Sequence, residues 1–265
     1  MRKLIACKRF ALVFVFIIAC MYLIAVILPG CDAKKLGRIK RTWSNRILRW
    51  LGCRVEIVGQ TLGEAVHDTG ITPDCTGRLL VSNHVSLLDI FALNAAAPSL
   101  FVAKAEIAKW PVFGSIAKAV GTIFIERGNK RALLSIAEQM KTVITQGQTL
   151  LVFPEGTTSD GTGLLKLHSN LFDAAIKSEA TVVPVVLRYE DEGRLTTDPA
   201  YVGDTGLFEC LWKIACCRDL VVKVHVLEPV SGDDRREMCR NASAAMARQL
   251  GVVDPLAPSQ QEVTP

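Results

Sequence analysis

The stretch Arg78-Leu79-Leu80-Val81-Ser82-Asn83-His84-Val85-Ser86-Leu87-Leu88-Asp89 decides the fold. A short apolar run gives way to a polar turn, and the turn leads into residues 87–96, apolar and long enough for a helix. A run this short, closed by turn residues, reads as a strand buried on both faces. A helix following it directly makes one step of a parallel sheet. The same step recurs along the chain. Strands are expected at residues 54–58, 78–82, 100–104, 121–125, 149–153, 181–188 and 220–227. Helices are expected at 87–96, 105–119, 130–146, 169–178 and 233–250. This alternation predicts an α/β fold, a mixed and largely parallel sheet flanked by helices. Residues 59–77, rich in Gly, Thr, Asp and Pro, read as a loop. Residues 252–265, with three prolines, read as a flexible tail.

The turn in that stretch carries polar side chains with chemical potential. Positions five apart lie about 140° around a helix axis, so His84 and Asp89 share no helical face. They meet only if His84 sits on the turn and Asp89 on the first helical turn. Ser86 is then the N-cap, with Asp89 three residues later. This puts an imidazole at the C-terminal edge of a strand, where open α/β sheets place their ligands. A carboxylate that orients the ring would make it a general base for a hydroxyl. The bland alternative is that Asp89 only caps the helix.

Two other strand ends add to the count. Phe153-Pro154-Glu155-Gly156-Thr157-Thr158-Ser159 follows the run Thr149-Leu150-Leu151-Val152 and reads as a polar ligand loop, or else as a solvent-exposed turn. Gly121-Thr122-Ile123-Phe124-Ile125-Glu126-Arg127-Gly128 brings Arg127 out at a strand end, where a guanidinium can hold an anion bidentately. Lys104 ends another strand. Each alone reads as a surface charge, but at successive strand ends they converge on one edge of a sheet.

The chain has 265 residues, half of them hydrophobic, enough for one domain with an appendage. The appendage is N-terminal. Phe10-Ala11-Leu12-Val13-Phe14-Val15-Phe16-Ile17-Ile18-Ala19-Cys20-Met21-Tyr22-Leu23-Ile24-Ala25-Val26-Ile27-Leu28 holds nineteen uncharged apolar residues, long enough for a membrane helix. No good small-x-small cleavage site follows, so a retained anchor is favoured over a signal peptide. In residues 35–51, Leu36, Ile39, Trp43, Ile47, Trp50 and Leu51 recur at helical spacing among Lys and Arg. This is a basic amphipathic helix suited to the headgroup layer. Residues 1–49 hold eleven Lys and Arg against one acid, Asp32, while the rest of the chain is net acidic. That asymmetry points to anionic lipid and away from nucleic acid. Seven basic residues follow the apolar segment against four before it, an excess that places the following domain in the cytoplasm. Strong charge on both flanks also fits a helix that enters and returns on one face.

Nine cysteines without a CxxC pair indicate no zinc ribbon or redox motif, and read as free thiols in a reducing compartment. His67, Asp68, His168 and His225 are too scattered for a metal site. No Gly-x-Ser-x-Gly elbow for a serine hydrolase is present. A non-catalytic membrane-binding module would account for the basic head alone.

The blocks Asn83–Asp89, Gly121–Gly128, Phe153–Ser159 and Val182-Val183-Pro184-Val185, in that order, resemble those of the 1-acyl-sn-glycerol-3-phosphate acyltransferase family of glycerolipid acyltransferases. The resemblance covers roughly residues 36–250. It implies three parts: a membrane anchor over 1–51 (apolar helix 10–28, amphipathic helix 35–51), an acyltransferase domain over 52–251, and the tail 252–265. It implies acyl transfer from acyl-CoA or acyl carrier protein to a lysolipid hydroxyl, with no metal or other cofactor. His84 would take the hydroxyl proton and Asp89 would orient the ring. Lys104 and Arg127 would hold an anionic acceptor head, and Glu155, Gly156 and Thr157 would shape the acceptor and oxyanion region. The acceptor implied is 1-acyl-sn-glycerol 3-phosphate, giving phosphatidic acid in a bacterial inner membrane. Two departures bear on it. Thr158 stands where the family has an arginine, and Lys166-Leu167-His168 where it tends to have Pro-Phe-Lys. Lyso-ornithine lipid, an acceptor without phosphate, is the alternative.

Overall fold

The computed structural model describes residues 2–59, 77–126 and 130–257. The loop expected at 59–77 lies almost wholly outside them, as does Arg127. Seven strands form one continuous path in the order β1-β8-β6-β2-β5-β3-β4. They are β1 (Cys53–Gly59), β2 (Arg78–Ser82), β3 (Leu100–Lys104), β4 (Ile123–Ile125), β5 (Thr149–Val152), β6 (Thr181–Asp191) and β8 (Leu220–Val226). An eighth strand, β7 (Arg194–Leu195), folds back on β6 as a hairpin. Strands β6, β2, β5, β3 and β4 are mutually parallel, while β8 runs antiparallel to β6 and β1 parallel to β8. The sheet is therefore mixed and largely parallel, as the alternation of elements predicts.

Helices cover both faces. On one lie α1 (Arg2–Tyr22), α2 (Ala33–Leu51), α3 (Leu88–Ala96) and α7 (Leu207–Cys216); on the other lie α5 (Lys130–Thr145), α6 (Asp173–Ser178) and α8 (Arg235–Leu250). Alternation along the strands sorts the core between the two faces. Leu80, Leu151, Val183 and Leu187 face the first layer, and Leu79, Leu150, Val152 and Val182 the second. All eight are 2% exposed or less, which is why these strands read as unbroken apolar runs.

Three expectations need correction. The helix expected over 105–119 is two pieces, a 3-10 turn at Ala105–Lys109 and α4 (Phe113–Ala119). Pro111 lacks an N–H and disfavours helix at the residue before it, and Val112 takes a positive φ of 64°. The tail is not wholly free. Val252 N–H donates to Ala247 C=O, the Asp254 carboxylate accepts from Ser243, and Val252 and Leu256 pack on the second core layer. Finally, α7, which has no counterpart among the expected helices, lies on the α1 side of the sheet.

The N-terminal helix is long and apolar enough to cross a membrane by length and composition. Yet it lies against the body along its length. Ala6, Val13, Phe16 and Leu23 are buried and Phe10, Ile17 and Cys20 half-buried, at the spacing of one helical face. Leu4, Phe14, Val15, Ile18 and Tyr22 stay exposed on the other. Arg9 fixes the seam, its Nη1 donating to Ala215 C=O at 3.0 Å and Cys217 C=O at 2.6 Å, at the carboxyl end of α7. Gly52, the left-handed C-cap of α2 at φ 75°, leaves room for that guanidinium; a Cβ there would meet it at 2.0 Å.

Candidate active site

Because β2, β5, β3 and β4 are parallel neighbours, their carboxyl ends share one edge of the sheet. The turn after β2 carries His84, the loop after β5 carries Glu155, and Lys104 ends β3, exposed. Asn83, one residue past the last β2–β6 pair Ser82↔Val185, reaches β6 through its side chain. Its side-chain amide donates to Leu187 C=O at 3.1 Å and its Oδ1 accepts from Leu187 N–H at 2.8 Å. This fixes the strand end from which His84 departs.

His84 Nδ1 lies 2.7 Å from Asp89 Oδ2. The same oxygen accepts from Val85 N–H at 2.7 Å and Ser86 N–H at 2.9 Å, while Oδ1 accepts from the Tyr189 hydroxyl at 2.5 Å. Two backbone N–H donors already point at Oδ2, so in its contact with that oxygen Nδ1 is the donor. Nδ1 therefore carries the imidazole proton, and Nε2 is left as the acceptor. Among the described residues none hydrogen-bonds to Nε2. The ring is about one-fifth exposed and stacks on Phe153, with centroids 4.0 Å apart and planes at 14°. The N-cap of α3 is Leu87 and not the expected Ser86; Ser86, one residue before it, accepts from Leu88 N–H at 3.2 Å through its Oγ. Asp89 accepts from Ser86 N–H in return through Oδ2, and its second carboxylate oxygen is left for Tyr189.

The loop after β5 holds the backbone of His84 from the other side. Glu155 Oε2 accepts from His84 N–H at 3.0 Å, and Ser159 N–H donates to His84 C=O at 2.7 Å. Glu155 Oε1 accepts from Leu165 N–H at 3.0 Å. Glu155 is thus a clamp, 4% exposed and turned inward, in place of the acceptor contact expected of it. Burial pushes its carboxyl up to about 7 against the two N–H bonds that favour the charged form. Gly156 sits in the turn at φ 70° with its N–H bonded to Phe153 C=O, and Thr157 is exposed. Thr158 is half-buried and its hydroxyl donates to Tyr201 C=O. Position 158 therefore ties this loop to the segment before α7, and Tyr201 N–H closes the arrangement by donating to Val85 C=O at 2.8 Å.

Tyr189 is absent from the expected site. It lies 100 residues from Asp89 in sequence and outside every block. One signal was available: along β6 the inward positions 183, 185, 187 and 189 are Val, Val, Leu and Tyr, and a buried tyrosine needs a hydroxyl partner. Burial and the Asp89 carboxylate hold that hydroxyl protonated, well above the usual phenol range.

Beside the dyad an apolar cavity of about 150 Å³ opens between α1, α2 and α3. Leu87 and Leu88, which follow the histidine turn directly, line it together with Phe16, Trp43 and Phe91. Lys40 is its one charged wall residue, 9% exposed, with Nζ donating to Ser99 C=O at 3.0 Å. Burial lowers its ammonium to about 7. Among the described residues no group of three or more His, Cys, Asp and Glu side chains is placed to hold a metal ion.

Known proteins resemble this chain in sequence and in fold. The family model described as Acyltransferase matches residues 65–188. The chain is 33% identical over 236 residues to the lyso-ornithine lipid O-acyltransferase of Pseudomonas aeruginosa, an alignment covering 88% of this chain and 86% of that one. It is 43% identical over 163 residues to the 1-acyl-sn-glycerol-3-phosphate acyltransferase of Neisseria gonorrhoeae, covering 60% of this chain and 64% of the relative's length. The crystal structure of the 1-acyl-sn-glycerophosphate acyltransferase PlsC from Thermotoga maritima superposes with a TM-score of 0.66 at 22% identity, over 95% of this chain and 97% of that one.

Proposed function

The chain belongs to the 1-acyl-sn-glycerol-3-phosphate acyltransferase family of glycerolipid acyltransferases, and from that premise we propose that it transfers a fatty acyl group from a soluble thioester to the free hydroxyl of a lysolipid held at the membrane. The observation that carries this reading is the His84–Asp89 pair, with Nδ1 bonded to the carboxylate and Nε2 left to accept. Nε2 takes the acceptor's hydroxyl proton as the oxygen attacks the thioester carbonyl. The C–S bond breaks, and the imidazolium returns its proton to the departing thiolate. Asp89 holds the ring in that tautomer and stabilises the transient charge. The acyl chain lies in the apolar cavity, since Leu87 and Leu88 bring its wall up to the histidine turn.

The acceptor we favour is 1-acyl-sn-glycerol 3-phosphate, the substrate named for the gonococcal relative, giving phosphatidic acid. Lys104, exposed at the edge that carries His84, supplies positive charge for its head, and Arg127 is the second candidate. Lyso-ornithine lipid is the second reading. It is favoured by the end-to-end alignment with the Pseudomonas enzyme and by Thr158, which brings no guanidinium to the site. The donor is acyl-CoA or acyl carrier protein. The lengthwise packing of α1 supports a helix lying in one leaflet, its outer face in lipid. The basic α2 supports a headgroup position with the domain on the cytoplasmic side.

The test is acylation of both lysolipids by purified full-length protein, with each thioester donor in turn. Transfer to lysophosphatidate above lyso-ornithine lipid is expected. The reverse order establishes the second reading. Failure with both acceptors, or a trapped acyl-enzyme, overturns the direct transfer.

A further inference from the structure

The aromatic side chains that α7 presents to solvent lie outside the catalytic machinery. Phe208 is 65% exposed and Trp212 37%, one helical turn apart on the same stripe. Cys210, Leu211, Ile214 and Ala215 on the opposite face are buried in the body. The two rings are not an isolated patch. Phe10 of α1 sits 6.2 Å from Phe208 and 6.0 Å from Trp212, and 5.7 Å from Phe14, itself half exposed. The outward apolar face of α1 therefore runs without a break onto α7.

We propose that α7 is a third membrane-contacting element, with Phe208 and Trp212 entering the headgroup and upper acyl layer of the bilayer beside α1. The inference rests on the membrane placement of α1 argued above and extends it to a part of the chain almost 200 residues downstream. The chemistry selects lipid as the occupant. Trp and Phe on one stripe suit the boundary where one end of a ring is apolar and the other wet. The remaining exposed charges of α7, Glu209 and Lys213, pair with each other at 2.7 Å, so the helix brings no net charge to the layer. The neighbouring α2 carries seven Lys and Arg, the complement of an anionic lipid surface. Arg9 bolts α1 to the carboxyl end of α7, so the two helices meet the bilayer as one surface. That surface fixes the tilt of the domain, and hence the height of His84 above the lipid, better than a helical pair hinged at one end.

The experiment uses the full chain in proteoliposomes containing lipids brominated in the upper acyl region. The protein has four tryptophans, so the emission of Trp212 is isolated as the difference between the wild type and Trp212→Phe. That difference should be quenched by brominated lipid and shielded from aqueous iodide. Quenching by iodide alone would put the ring in water, and shielding from both quenchers would put it against another protein surface, such as a second copy of this chain; either result overturns the proposal. A kinetic arm follows the double variant Phe208→Ser, Trp212→Ser. Its apparent KM for vesicle-borne lysolipid should rise at least about tenfold, the low end for withdrawing even one large apolar side chain, with turnover of a short-chain soluble acceptor unchanged. An unchanged vesicle KM overturns the proposal; a loss on the soluble acceptor reports damage to the fold and leaves the quenching result to decide. The fluorescence readout needs no catalysis, so it stands apart from any failure of the acyl-transfer reading.

Discussion

Replacing Tyr189 with phenylalanine removes one oxygen and almost no volume, so it isolates the hydroxyl bonded to Asp89 Oδ1 at 2.5 Å. That oxygen has no second partner among the described residues, and Asp89 is fully buried. A hydrogen bond to a charged group contributes about 1.5–3 kcal/mol. Tyr189→Phe should lower the unfolding free energy by about that amount, without the added cavity cost of a truncation. The catalytic effect has a different signature. An Asp89 carboxylate deprived of one donor attracts the imidazolium more strongly, so the acid limb of the kcat profile should move to higher pH. The ring also loses one restraint, and kcat should fall about tenfold, equivalent to about 1.4 kcal/mol of barrier. The KM for the acceptor should stay within about twofold, because Tyr189 is 3% exposed and reaches no substrate. The assay is a pH series of initial rates beside denaturant unfolding of the same preparations. A destabilised variant with an unshifted acid limb would reduce Tyr189 to a packing role. A variant unchanged in both would show that the hydroxyl does not bond Asp89.

Three further outcomes follow from the same geometry. His84→Ala should abolish transfer in a folded protein, a loss of about 10²–10⁴-fold or more, and near-normal turnover would discard the general-base reading. Glu155 titrates near 7 when folded, above its ordinary 4.5; the folded chain binds that proton more tightly, so stability falls as pH rises between about 4.5 and 7, and Glu155→Gln should flatten this descent in a pH series of Tm. Lys40 titrates near 7, below its ordinary 10.5; here the unfolded chain binds the proton more tightly, stability climbs from about pH 7 to 10.5, and Lys40→Met should raise Tm at pH 7 and remove the climb, whereas a lower Tm would mean that the bond to Ser99 C=O outweighs the burial of the ammonium.

The strand ends were legible because parallel strands buried on both faces leave a local signature, a short apolar run closed by turn residues. His84 and Asp89 were legible for a related reason, since both lie within one turn whose capping pattern fixes their relation. What escaped was set by partners distant in sequence. Glu155 stood out as a polar residue after a strand, but its orientation depends on the N–H groups of His84 and Leu165, which no local pattern discloses. Tyr189 belongs to the site only because β6 pairs with β2 and carries its ring over Asp89. Thr158, read as a gap in the acceptor site, proves to bond the Tyr201 carbonyl. The stretch that forms α7 is strongly amphipathic, with Cys210, Leu211, Ile214 and Ala215 on its buried face, so its helix was legible from the period of the residues alone.

The catalytic turn is thus held by contacts from three places in the chain, the loop after β5, β6 and the segment around Tyr201. Its backbone is gripped by Glu155 and Ser159, its carboxylate by Tyr189, its ring by Phe153, and Val85 C=O by Tyr201 N–H. None of these groups is contributed by α1 or α2. The N-terminal helices instead wall the cavity whose near side is Leu87 and Leu88, the two residues that join the turn to α3. A division of labour follows from that connectivity. On the proposed function, the sheet domain would fix the tautomer and position of the base, while α1 and α2 would determine where an acyl chain lies relative to it. A perturbation of the helical seam, such as Arg9→Gln at the α7 carbonyls, should therefore act on the KM for vesicle-borne lipid and on chain-length preference before it touches kcat. A kcat loss as large as that of Tyr189→Phe, with KM unchanged, would mean that the two parts are not separable.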